Sequence, residues 1–192
     1  MVFMKVNFIE NTPSAVKFKL SGVTTTFANS VRRAVLNSVP TFAVDKVTFY
    51  ENTTSMFDEY ISHRIGLVPL TTPEGYDEKD EILFNLEAEG PKTIYSRDLK
   101  ETDKKVKVAN ENIPIMKLAE GQRLRVDCKA VLGTSMKNSK FQPCFVTYTS
   151  NDDESEFEFY IETFGQMPAK EILNRALDII DEGLKATHKE LK

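Results

Sequence analysis

Polar and apolar residues alternate at the start of the chain. Met4-Lys5-Val6-Asn7-Phe8-Ile9 does so roughly, Asn11-Thr12-Pro13-Ser14 supplies turn chemistry, and Val16, Phe18 and Leu20 then share one face with Lys17 and Lys19 on the other. A period of two predicts a β-hairpin, ended at Gly22. The period then lengthens. Phe27, Val31, Val35 and Val39 recur every four residues, widened by Ala28, Ala34 and Leu36, with Arg32 and Arg33 beside them. This predicts a helix from about Thr25 to Ser38, capped by Thr24 or Thr25 and stopped by Pro40. A strand is expected over 43–50. A short helix follows over 56–65, with Ser55 and Asp58 as a capping box and Gly66 at the left-handed C′ position. Leu67-Val68-Pro69-Leu70 then leaves it extended.

From residue 71 the texture changes. Residues 71–81 are acidic and turn-forming, and 82–150 read as short strands at Ile82–Leu86, Lys92–Tyr95, Val106–Val108, Arg123–Val131 and Phe145–Thr149. Regular pattern returns at the end. Phe157, Phe159 and Ile161 alternate with Glu156, Glu158, Tyr160 and Glu162, Gly165 breaks the strand, and Pro168 opens a helix to about Glu190. Along that helix Leu173, Leu177, Ile180, Leu184, Thr187 and Leu191 form one row, with Ile172, Ala176, Ile179 and Gly183 beside it. The band is wider than the ~100° that a helix lying on a sheet needs. Either a partner chain covers the surplus or the chain's own sheet does; periodicity leaves both open.

The 192 residues carry 25 Lys+Arg against 29 Asp+Glu, a net charge of −4, which argues against a general nucleic-acid coat. Hydrophobic residues at 41% and charged residues at 28% fit a soluble globular protein. No apolar run approaches the ~18 residues of a membrane span, and the first residues lack a signal-peptide pattern, so a cytoplasmic location and no membrane partner are expected. Cys128 and Cys144 are too few and too scattered for a zinc or iron–sulfur site and read as small buried apolar residues. Phosphate-binding glycine loops and nucleophile elbows are absent from the sequence. The acidic runs 77–81 and 152–158 lack the ligand spacing of a calcium loop. Glu59 and His63 stand four apart on the short helix and could offer a carboxylate and an imidazole to a metal or a proton. No third ligand is near in sequence, and a structural or contact role is the plainer reading. Arg32-Arg33 and His63-Arg64 could grip phosphates or protein carboxylates.

Four stretches carry a family resemblance. Phe27-Ala28-Asn29-Ser30-Val31-Arg32-Arg33-Ala34-Val35-Leu36-Asn37-Ser38-Val39-Pro40 resembles the first helix of the alpha-like RNA polymerase subunits. Asp58-Glu59-Tyr60-Ile61-Ser62-His63-Arg64-Ile65-Gly66-Leu67-Val68-Pro69-Leu70 is similar to the corresponding block of the archaeal alpha-like (D-type) polymerase chains and of the third-largest subunit of eukaryotic polymerase II. Ile94–Lys100 and Ile113–Leu118 resemble the insert domain of the archaeal D-type chains. One block departs: where the family has L-G-x-G-x-x-H-x-K-W-x-P, this chain has Ser135, Asn138 and Phe141 for the second glycine, the histidine and the tryptophan.

The resemblance implies an α+β fold with a discontinuous dimerisation domain over 1–45 and 151–192 and a β-rich insert domain over 46–150. It implies a non-catalytic assembly subunit of archaeal DNA-directed RNA polymerase, a nucleotidyltransferase whose catalytic residues lie in other chains. Such an assembly chain would pair with subunit L, be joined by subunits N and P, and carry the two large subunits, meeting DNA only within the complex. The dimer interface would use Phe27, Val31, Val35, Leu173, Leu177, Ile180 and Leu184, and the large-subunit contacts Arg32, Arg33, His63 and Arg64. No iron–sulfur cluster or zinc is expected, as in the short, cluster-free form of the D-type chains. The rivals are an alpha-like homodimeric scaffold and a metal-dependent hydrolase using Glu59 and His63.

Overall fold

The computed structural model describes residues 4–77 and 79–191. Its fold is α+β and divides into two compact units: the chain up to Pro40 with the chain from Thr134 onward, and Thr41–Gly133.

The terminal unit holds a four-stranded antiparallel sheet in the order β1-β2-β10-β9: β1 is Lys5–Asn11, β2 Ala15–Ser21, β9 Cys144–Ser150 and β10 Glu156–Thr163. β2 and β10 alternate as their sequences predict. Val16, Phe18, Leu20, Phe157, Phe159 and Ile161 are buried in one cluster, while Lys17 and Lys19 pair with Glu158 and Glu156 at 2.7 and 2.8 Å on the other face. Phe18 stacks on Phe159 with centroids 5.0 Å apart. Gly22 and Gly165, at φ 76° and 101°, end β2 and follow β10 in backbone conformations that favour glycine.

Helices α1 (Thr25–Asn37) and α3 (Ala169–Glu190) supply the rest of this core through Ala28, Val31, Val35, Ile172, Leu173 and Ala176. The Thr24 Oγ1 caps α1 by accepting from the Phe27 N–H at 3.2 Å.

The other unit holds a sheet in the order β3-β8-β4-β6, with β3 at Thr41–Asn52, β4 at Glu81–Glu89, β6 at Lys100–Glu101 and β8 at Arg123–Gly133. A separate antiparallel pair joins β5 (Lys92–Tyr95) to β7 (Pro114–Leu118). β4 turns Ile82, Phe84, Leu86 and Ala88 inward. Helix α2 (Asp58–Gly66) adds Ile61 and Ile65 to that core.

Several expectations change. The units divide at 40/41 and 133/134 rather than at 45/46 and 150/151. β3 pairs continuously with β8 from Thr41, so 41–45 belong to the insert unit. β9 pairs with β10 along its length, so 144–150 belong to the terminal unit. Val106–Val108 is not a strand; Val108 makes a single bridge to Leu70. The Ser55–Asp58 capping box does not form: α2 starts after Phe57 with no side-chain cap, and the Asp58 carboxylate accepts from Asn52 Nδ2 at 2.7 Å. Gly66 is the last helical residue, and Leu67 closes the helix at φ −87°.

Both cysteines are fully buried and unpaired with one another. Burial pushes each thiol up from an ordinary 9.0 to about 12. Two results follow. Iodoacetamide at pH 8 is expected to label Cys128 and Cys144 only after denaturant unfolds the chain. A raised folded pKa contributes stability that is complete below the unfolded value, so unfolding monitored by circular dichroism should become easier as pH climbs from 9 towards 12.

Candidate assembly surface

The seven expected interface residues fall into two groups. Val31, Val35 and Leu173 are only 2%, 0% and 5% exposed. They are packed in the core of their own unit, which corrects their assignment to a partner-facing surface. Phe27, Leu177 and Leu184 are 37%, 41% and 65% exposed. Ile180 is half-buried against the unit's own core. The row along α3 therefore changes role as it runs. Its first turns are core, and every residue from Asp181 to Leu191 is exposed. At 1.5 Å per residue, about 15 Å of helix is exposed among the described residues.

Edge strand β1 adds apolar surface that the sequence pattern alone did not mark. Val6 pairs with Leu20 and Phe8 with Phe18, so both lie on the helix-bearing face. They remain 50% and 46% exposed, although Phe8 meets Phe18 at 5.8 Å between centroids and carries Lys170 Nζ 5.6 Å over its ring. The signal was present as an apolar pair on one face of a strand beyond the reach of two helices.

Helix α2 shows a different surface in the insert unit. Phe57 and Tyr60, 70% and 65% exposed, line a shallow cavity with Ser55, Met56, His63 and Arg64. Glu59 and His63 are exposed on this helix. Among the described residues no group of three or more His, Cys, Asp or Glu side chains is placed to hold a metal ion.

Arg64 has an internal task. Its Nε donates to the Ile115 carbonyl at 2.5 Å and its Nη2 to the Pro114 carbonyl at 2.7 Å, tying α2 to β7. Arg64→Ala is expected to lower the unfolding free energy of the insert unit, read from urea titration, by about 1–2 kcal/mol, the scale of two partly solvated charge-assisted hydrogen bonds. Arg64→Gln should recover part of the loss. On α1, Arg32 is held by Asn29 Oδ1 through Nε and Nη2 at 3.1 and 2.9 Å, whereas Arg33 is exposed.

The family model described as RNA polymerase Rpb3/Rpb11 dimerisation domain matches residues 17–184. The chain belongs to that family. As an Rpb3/Rpb11-type dimerisation domain it is similar to proteins named DNA-directed RNA polymerase subunit Rpo3. It is 48% identical to the one from Pyrococcus furiosus over 155 residues, covering 77% of this chain and 59% of that relative. It is 46% identical to the one from Methanocaldococcus jannaschii over 154 residues, covering 80% of this chain and 78% of the relative. Against the Thermococcus kodakarensis protein it is 49% identical, again spanning 59% of the relative's length. The Rpb3/Rpb11 match reaches across both units and includes α1, α2 and most of α3. Among the described residues no helix is long and apolar enough to cross a membrane.

Proposed function

We propose that this chain is a non-catalytic assembly subunit of archaeal DNA-directed RNA polymerase, acting in the cytoplasm. The terminal unit pairs with subunit L. The pair, joined by subunits N and P, forms the platform for the two large catalytic subunits, and the chain meets DNA only within that complex. Family membership and the Rpo3 relatives support the reading. The single observation that carries it is the exposed end of α3, where Leu184 and Leu191 are 65% and 81% exposed among the described residues. Apolar side chains such as these leucines, left in water, forgo roughly 25 cal/mol for each Å² they could bury. Covering it with another chain's aliphatic surface releases that free energy.

In this mechanism α3 and the inner face of β1 bind the partner, and Arg32, Arg33 and His63 orient the large subunits. Arg64 keeps α2 in place for the same contact. No metal or cofactor takes part, so elemental analysis of the purified protein is expected to find no stoichiometric iron or zinc.

Co-expression with tagged subunit L tests the reading. A 1:1 complex on light scattering is expected. A stable homodimer of the chain alone that refuses L would favour the alpha-like homodimer, and a stoichiometric metal lost in His63→Ala would favour the hydrolase.

A further inference from the structure

An edge strand presents unpaired backbone groups, and folded chains usually blunt such edges with charge, a bulge or short length. β1 carries Lys5 and Glu10 and shifts register between Phe8 and Glu10. β3 carries Asp45, Lys46 and Glu51 and shifts register between Val44 and Lys46 and again between Phe49 and Glu51. β6 is two residues long. β9 has none of these protections. Its seven residues, Cys144-Phe145-Val146-Thr147-Tyr148-Thr149-Ser150, hold no charge and no proline, and they pair with β10 without a register shift. They are rich in the β-branched and aromatic types that favour strands.

The ladder shows which way the backbone of β9 faces. The Phe164 N–H donates to the Pro143 carbonyl at 3.1 Å, and the Asn151 N–H to the Glu156 carbonyl at 3.2 Å. Bonded and non-bonded pairs alternate in an antiparallel ladder. The backbone groups of Phe145, Thr147 and Thr149 therefore face β10, and those of Val146, Tyr148 and Ser150 point off the edge. Among the described residues no hydrogen bond reaches the latter groups. The side chains of Phe145, Thr147 and Thr149 are exposed on the face away from the helices, Phe145 at 51%.

This edge is complementary to itself. Turned antiparallel about Thr147, β9 meets its own sequence along its whole length. Val146 then stands against Tyr148 of the second copy, Phe145 against Thr149, and Thr147 against Thr147. Aromatic–β-branched and Thr–Thr pairs are among the favourable cross-strand combinations. Past the strand ends, exposed Asp152 and Asp153 of one copy come to the end of the other that carries Lys137 and Lys140.

We propose that β9 is a docking edge for a second copy of this chain, the two strands joining antiparallel through Thr147 into one continuous sheet. One strand pair buries less than the roughly 1,000 Å² of a stable interface, so the association is reversible and depends on concentration. It uses the sheet edge rather than the exposed end of α3, so it stands independently of pairing with subunit L.

Sedimentation velocity on the full chain, alone and bound to subunit L, should show the mass doubling as concentration rises in both cases. T147K sets two ammonium groups opposite one another across the axis and is expected to weaken this association at least about ten-fold, as is T147E, while an equimolar mixture of the two recovers it. T147C is expected to give a disulfide-linked dimer under mild oxidation, because opposed non-bonded residues stand about 4.5 Å apart at Cα, within disulfide reach. Buried Cys128 and Cys144 do not compete. No mass doubling, a T147K chain that associates like the parent, a mixture that recovers nothing, or no T147C dimer overturns the edge. Association that survives T147K but is lost on binding L, or in L177D/L184D, belongs to the helix face and overturns it as well. A chain that doubles in mass through Thr147 yet ignores L sinks the assembly reading and leaves the edge standing.

Discussion

Replacing Leu177 and Leu184 by aspartate is expected to abolish pairing with subunit L while leaving the isolated chain folded. Both side chains are substantially exposed in the lone chain, at 41% and 65%, so a charge there meets water and disturbs little. In the complex the same positions would be dry. A carboxylate without a partner in an apolar interface costs several kcal/mol, and each ~1.4 kcal/mol is ten-fold in affinity. The pair should weaken by at least about a hundred-fold in an interaction titration, with the thermal midpoint of the isolated chain shifted by no more than a few degrees. A variant that still binds L within a few-fold would show that α3 is not the contact.

The second large effect has the opposite signature. Phe159→Ala removes a fully buried ring that stacks on Phe18 at 5.0 Å and lies 5.2 Å from Tyr148. Truncating a buried phenylalanine costs about 3–5 kcal/mol, because the cavity collapses only in part. That is a large share of the roughly 5–15 kcal/mol that holds a domain together. The terminal unit should lose its cooperative transition or melt well below the parent chain, and pairing with L should fail because the platform is unfolded. Comparing the two variants separates a lost contact from a lost fold: one changes binding with the melting curve intact, the other changes both.

The elements were legible because they are local. The period-two runs that became β2 and β10, and the four-residue recurrence that became α1, depend on neighbours within a few positions. Coverage is not local. Leu173 and Leu184 occupy the same row of the same helix, yet one is 5% exposed and the other 65%, because the sheet underlies only the start of α3. Val31 and Val35 likewise read as interface residues until β9 and α3 are placed against their helix. The boundary at 150/151 fell in the wrong place because Cys144–Ser150 has the same texture as the insert strands, and only its pairing with β10 assigns it to the other unit. Arg64 looked like a hand held out to a partner. Its carbonyl acceptors on Pro114 and Ile115 lie about fifty positions away in sequence, a contact that no window along the chain contains. The pattern at Ser55 and Asp58 failed for a competitive reason, since Asn52 offers the Asp58 carboxylate a donor at 2.7 Å.

Hydrogen–deuterium exchange on α3, with and without subunit L, addresses most directly the idea that this chain is built to be completed by another. Amides from Asp181 to Leu191 should exchange rapidly in the lone chain, where these residues are exposed, and slow by at least about ten-fold when L is added, while Ile172–Ala176 stay protected in both. Strong protection of Asp181–Leu191 in the isolated monomer, or exchange there that L leaves unchanged, would contradict the account.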